Sequence, residues 1–167
     1  MGTSKFLKAV LLTGLIAGTL DATAASLQYF INTGNNPARV FRYIASAIFR
    51  EDAGKGELYS WAAAGLFFHY VIAFIWTITF FFFYKPIKKL FKNKYVAGIV
   101  YALIVWCIMN FLVVPIAFGT DIVQHAKDLF SQARLKSSLI AMGILIIAIG
   151  LPVSLLADRY YSKIKIN

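Results

Sequence analysis

Four apolar stretches, each long enough to cross a lipid bilayer, constrain the fold of this chain more than any other feature. They cover approximately residues 6–31, 59–84, 95–118 and 137–158 of the 167. Helical rise is 1.5 Å per residue, so about 20 residues cross a hydrocarbon core of about 30 Å. The sequence therefore predicts an all-α membrane protein. We expect four transmembrane helices in an antiparallel bundle, with residues 1–167 forming a single integral membrane domain.

The composition agrees with a membrane protein. Hydrophobic residues make up 60% of the chain and charged residues 14%, whereas soluble domains carry about 25% charged residues. The net charge of +10 does not indicate a nucleic-acid partner, because the lysines and arginines cluster at the ends of the apolar stretches. Cys107 is the single cysteine, which excludes an internal disulfide and a cysteine-based metal site. We expect no cofactor.

The distribution of positive charge predicts the orientation in the membrane. Ten lysines and arginines lie before the first stretch, between the second and third, or after the fourth. The other connecting segments are longer and hold seven cations together with five acids. By the positive-inside rule, both termini and the second loop are cytoplasmic. The ten cations are Lys5, Lys8, Lys85, Lys88, Lys89, Lys92, Lys94, Arg159, Lys163 and Lys165.

The N-terminal segment also resembles a signal peptide. Two lysines precede the apolar run of residues 9–20, and Ala22-Thr23-Ala24 matches an A-x-A cleavage site. Apolar residues continue past that site as far as Ile31, which makes a segment of spanning length. We therefore expect the segment to be retained as the first span. The other three spans would keep their orientation in either case.

Two amphipathic helices are predicted between the spans, at the outer membrane surface. In residues 37–50, Asn36 is the expected N-cap and Pro37 the first helical residue. Apolar and basic residues then take opposite faces, and residues 121–134 repeat the pattern. The apolar face of the first helix has Val40, Phe41, Ile44 and Ile48, and the polar face has Arg39, Arg42, Ser46 and Arg50.

Four short strings resemble segments of small bacterial four-span inner-membrane proteins of unknown function. They are GLIAGTLD at residues 14–21, residues 39–49, GLFFH at 65–69 and NFLVVP at 110–115. The resemblance touches three of the four spans. It implies a multi-pass protein of a bacterial inner membrane, and it carries no activity with it.

Three polar residues lie near the membrane midplane on three different helices. From the outer ends of their spans, helical rise puts Asp21 about 16 Å deep, His69 about 15 Å and Asn110 about 12 Å. A charged group at this depth costs about 2.5 to 3.5 kcal/mol on insertion scales, so Asp21 should face protein or water. Equal depth places the three side chains in one polar layer.

This polar layer has two interpretations. Asp21, His69 and Asn110 could form a buried hydrogen-bonded knot that fixes the register of the helices. Alternatively, Asp21 and His69 bind a ligand or a proton in a cavity that opens outward. A haem or metal role for His69 would need a second ligand from a partner chain or from His125.

Arg39 and Arg42 form a second candidate region, because they lie on the side of the membrane where cations are scarce. One interpretation is that they reach lipid phosphates and pair with the acids at positions 51, 52 and 57. The other is that they recognise an anionic ligand, since guanidinium groups bind phosphate and carboxylate bidentately. The candidate ligand-binding residues are Asp21, His69, Asn110, Arg39 and Arg42.

The sequence favours a binding or transport protein over an enzyme. No Ser/His/Asp, paired-carboxylate or phosphate-cradling pattern occurs, so we expect no enzymatic activity. We favour a small binding or transport unit with an intramembrane polar site. The alternative is a structural or accessory subunit of a larger membrane complex. The expected partner is the bilayer with its anionic lipids, and a homo-oligomer or larger complex stays open. A cavity that reaches Asp21 and His69 would favour binding, whereas a packed layer would favour the subunit.

Overall fold

The computed structural model describes residues 3–165, and the regular structure of these residues is entirely helical. Four of the helices are long and apolar enough to cross a membrane, which is compatible with an integral membrane protein. The helices are α1 (Thr3–Thr33), α2 (Ala38–Phe49), α3 (Glu51–Lys55), α4 (Leu58–Phe91), α5 (Lys94–Phe118), α6 (Ile122–Leu129) and α7, which begins at Leu135 and continues to Lys165. The four helices of spanning length are α1, α4, α5 and α7.

The helices α5 and α7 each contain one wide π-helical turn. These turns cover Met109–Val113 in α5 and Ile146–Gly150 in α7. Each turn ends two residues before a proline, at Pro115 and Pro152. A proline within a helix has no N–H to donate, and its ring clashes with the carbonyl four residues earlier. The wider turn makes room for the ring while the helix continues through the span.

The four long helices pack against one another, and α4 also packs against α2. It contacts α1, α2, α5 and α7, while α7 also contacts α1 and α5. The main buried cluster lies towards the end of α4, near residues 85–94, the lysine-rich loop of the sequence. Its members are Val10, Ala17, Phe80, Phe81, Tyr84, Tyr101, Val105, Ile149, Val153 and Ala157.

Small residues allow close approach at two helix pairs. A Cβ atom added at Gly14 would lie 2.4 Å from the Phe74 ring, so the GxxxG face of α1 packs against α4. A Cβ atom at Gly98 would lie 2.6 Å from the carbonyl oxygen of Gly150, which brings α5 against α7. Packing energy in membranes depends on such contacts, because lipid tails are as apolar as the side chains they would replace.

The two connecting helices that the sequence predicted, α2 and α6, are shorter than their predicted ranges. Helix α2 lies within the predicted range of 37–50, and the Asn36 side chain accepts a 2.9 Å hydrogen bond from the Ala38 N–H. Helix α6 ends at Leu129 rather than near residue 134. The Ser131 hydroxyl donates a 2.8 Å bond to the Asp128 carbonyl, which competes with continuation of the helix.

Helix α4 continues past the predicted end at residue 84, through Pro86, as far as Phe91. Its extension contains three lysines and one leucine, which favour helix. The helix ends where Lys92 adopts a positive φ of 54°. At the other end, the Glu57 carboxylate caps α4. It accepts bonds from the backbone N–H groups of Tyr59 and Ser60 at 3.2 and 2.9 Å, and these bonds lower the pKa of Glu57.

Candidate functional site

A cavity of about 260 Å³ lies among α1, α2, α4, α5 and α7, and both Asp21 and His69 line it. The cavity adjoins the main buried cluster at Val105 and Ile149, and α2 covers its other side. Its walls are otherwise mostly apolar, and four aromatic rings contribute to them. These rings belong to Phe41, Tyr43, Trp76 and Phe118.

His69 is held in place from two sides. Its Nε2 atom lies 3.0 Å from the carbonyl oxygen of Gly18 on α1. A carbonyl can only accept, so Nε2 carries the hydrogen in this bond. On the other side, the Phe41 ring of α2 meets the imidazole edge-on, with centroids 6.1 Å apart. The orientation of His69 is therefore set by α1 and α2 together.

Asp21 lies one helical turn after Gly18 on α1, and its side chain is half-buried at the cavity wall. Within residues 3–165, no hydrogen bond or ion pair engages its carboxyl group; the carboxylates that pair with lysines are those of Glu51 and Asp158. Carboxylates inside membrane spans are usually paired or face a water-filled cavity, because the charge is costly in an apolar medium. The hydrogen-bonding capacity of Asp21 is thus left to whatever occupies the cavity.

Helix α2 covers the cavity and contacts both α4 and α5. A Cβ atom added at Gly65 of α4 would lie 1.7 Å from the Phe41 carbonyl oxygen, so the backbones of α2 and α4 are in direct contact there. On the opposite side, the Tyr43 ring stacks on Phe118 of α5 at a centroid distance of 4.7 Å. Helix α2 therefore closes the cavity against both α4 and α5.

Arg39 and Arg42 line a different cavity, of about 600 Å³, which shares Val40 and Tyr43 with the first. The Arg42 Nε atom donates to the Ala53 carbonyl at 2.6 Å, and its guanidinium also donates to the carbonyl of Gly54. Arg42 thus binds the backbone of α3. The expected pairing of these arginines with acids does not occur among the described residues, since the ion pairs found there involve lysines.

Asn110 lies apart from Asp21 and His69. Its side-chain nitrogen donates to the Trp106 carbonyl of its own helix at 2.9 Å. It lines a third cavity, of about 480 Å³, together with polar side chains that include Gln28 and Arg134. Of the five candidate residues, the structure brings only Asp21 and His69 to one cavity and Arg39 and Arg42 to another.

Asp158 is a polar residue of the spans that the sequence reasoning missed. Its carboxylate binds Lys88 at 2.8 Å and Lys94 at 3.5 Å, and it accepts a hydrogen bond from the Tyr84 hydroxyl. These contacts tie α7 to α4 and α5. The sequence held a signal for it, because Asp158 is the single acid among the segments rich in lysine.

Among residues 3–165, no group of three or more His, Cys, Asp or Glu side chains is arranged to hold a metal ion. His125, the second histidine, does not line the cavity with His69. Its Nε2 atom is buried on α6 without a hydrogen-bond partner in the described structure.

No protein-family model, curated protein or solved structure matches the chain. The resemblance to small four-span bacterial proteins therefore rests on the four short strings alone.

Proposed function

We propose that this chain is a small membrane protein that binds, and in a transport cycle releases, a small ligand in the cavity lined by Asp21 and His69. The observation that carries this proposal is the cavity itself. A layer whose polar residues served only assembly would be packed and satisfied internally. Here the Asp21 carboxyl faces a space of about 260 Å³.

The cavity has the properties of a small-molecule site. Such sites are mostly apolar, with a few polar groups that fix the orientation of the ligand. Its volume exceeds the 150 Å³ or so of an engineered cavity that holds benzene, so a single ring with a short substituent fits. Tight packing of the main buried cluster closes the opposite end. This arrangement supports access from the α2 side.

Binding without chemical conversion is part of the proposal. No serine, threonine, cysteine or lysine lines the cavity within the described residues. The serine, threonine, cysteine and lysine nucleophiles of covalent catalysis are therefore missing from these walls, and binding needs none of them.

The membrane arrangement completes the proposal. The four long helices form an antiparallel bundle in a bacterial inner membrane, with both termini cytoplasmic and with α2 and α6 as amphipathic helices at the outer surface. The ten cations on the side of the lysine-rich loop support this orientation. Arg39 and Arg42 then meet anionic headgroups or an arriving ligand at the outer surface, and Asn110 belongs to a separate polar cavity.

Native mass spectrometry of the purified protein tests the proposal. We expect a small ligand at one copy per chain. Ala47 lines the cavity and Ile48 beside it is exposed, so Ala47→Phe should displace the ligand and Ile48→Phe should keep it. His69→Ala should also lose it. If only protein chains copurify and no small ligand is found, the accessory-subunit alternative is favoured instead.

A further inference from the structure

We infer that the cavity selects a small organic cation, an amine whose ammonium group pairs with Asp21 and whose apolar body lies against the aromatic walls. This inference rests on the proposed function and names the class of ligand. The charge, the aromatic rings and the size of the cavity all support it.

The negative charge that Asp21 brings to the cavity favours a cationic ligand. Asp21 brings a carboxyl group to an apolar cavity, and within residues 3–165 no lysine or arginine pairs with it. Arg42 is bound to the α3 backbone and lines a different cavity. The Nε2 hydrogen of His69 is directed at the Gly18 carbonyl. In a medium of low dielectric constant a carboxylate gains strongly from a cation in contact, so a ligand cation gives Asp21 the charged contact that no lysine or arginine of residues 3–165 makes.

The aromatic rings in the cavity wall also favour a cationic ligand. Phe41, Tyr43, Trp76 and Phe118 all line the cavity. A cation within about 6 Å of an aromatic centroid is attracted to the face of the ring, and the attraction is larger where water is excluded. An anion of the same shape is repelled by both the rings and Asp21. A neutral molecule of the same shape gains the apolar contact alone.

The volume of the cavity limits the size of the ligand. The volume of about 260 Å³ admits one aromatic ring with a two-carbon amine, whereas a lipid with two chains is too large. Phenethylammonium is therefore a suitable probe. Phenethyl alcohol has the same skeleton and a hydrogen-bond donor without the charge, and hydrocinnamate reverses the charge on a similar body.

Calorimetric titration of the protein in detergent with the three probes tests the inference, with empty micelles as the blank. We expect phenethylammonium to bind at least about tenfold more tightly than phenethyl alcohol, a difference of about 1.4 kcal/mol. Hydrocinnamate should not bind measurably. Asp21→Asn should reduce phenethylammonium binding to the level of the alcohol and leave the alcohol unchanged. Asp52→Asn, at an exposed acid of α3, should change nothing.

The outcomes separate this inference from the proposed function. Binding of the alcohol to Asp21→Asn shows that the variant is folded and its cavity intact. Equal affinities for the cation and the alcohol would overturn the inference while keeping a binding cavity. Absence of binding by all three probes, with the intrinsic tryptophan fluorescence of the protein unchanged on their addition, would contradict both.

Discussion

Asp158 joins three helices through its carboxylate, since it engages Lys88 and Tyr84 of α4 and Lys94 of α5. We expect Asp158→Asn to lower the melting temperature in detergent, because hydrogen bonds to a partly buried charge contribute about 1–3 kcal/mol. For a chain of this size, 1 kcal/mol corresponds to about 2–4 °C. Lys89→Gln is the matched control, because Lys89 is exposed and makes no ion pair among residues 3–165. An unchanged melting temperature for Asp158→Asn would contradict a role in holding α7.

At the same scale, position along the helix axes could be predicted and helix rotation could not. The constant rise of a helix gives the levels of Asp21 and His69 along their helices from sequence position alone, and the two residues line one cavity. Asn110 has a similar level but lies on a face of α5 that contributes to another cavity. Rotation depends on packing against neighbouring helices, which a single sequence does not contain.

At the scale of elements, Gly65 determines how closely α2 approaches α4. A Cβ atom there would meet the Phe41 carbonyl oxygen, a backbone atom that cannot turn aside. We expect Gly65→Ala to displace α2 and to destabilise the protein by about 1–3 kcal/mol, the usual cost of overpacking, and to weaken ligand binding at the cavity that α2 covers. Thermal melting and the probe titration measure the two effects.

The control for this substitution is Gly143→Ala in α7, since a Cβ atom there would meet nothing within 4 Å. Alanine at an open helical position is neutral or stabilising by up to about 1 kcal/mol. A Gly65→Ala protein as stable as the Gly143→Ala protein, with unchanged probe affinity, would show that α2 does not depend on this contact.

Hydrophobic patterns predicted the four long helices, because apolar length is a property of each segment alone. They did not predict the π-helical turns before Pro115 and Pro152, whose form depends on how the neighbouring helices accommodate the prolines. They also gave α6 too long a range, because Ser131 competes for a backbone carbonyl of the last turn. The patterns did not predict the close contact between Gly98 and Gly150 either, since it joins residues about fifty positions apart.

At the scale of the whole molecule, dense packing and open space lie at opposite ends of the long helices. The main buried cluster and the Asp158 contacts hold the end near the lysine-rich loop. The Asp21 and His69 cavity lies towards α2, whose contacts with α1 and α5 are few compared with those it makes with α4. A protein of this form would admit a ligand more easily by movement of α2 than by separation of the helices at the packed end.

The direction of that access depends on the orientation of the chain, which cysteine labelling can test. Lys55 and Lys89 are both exposed and lie at opposite ends of α4, since Lys55 ends α3 just before α4 begins and Lys89 is in the last turn of α4. With the free Cys107 replaced by alanine, Lys55→Cys should react with a membrane-impermeant maleimide in intact spheroplasts. Lys89→Cys should react only after the membrane is opened, because the positive-inside rule puts the lysine-rich loop in the cytoplasm. The reverse pattern of labelling would place α2 and the cavity beneath it on the cytoplasmic side.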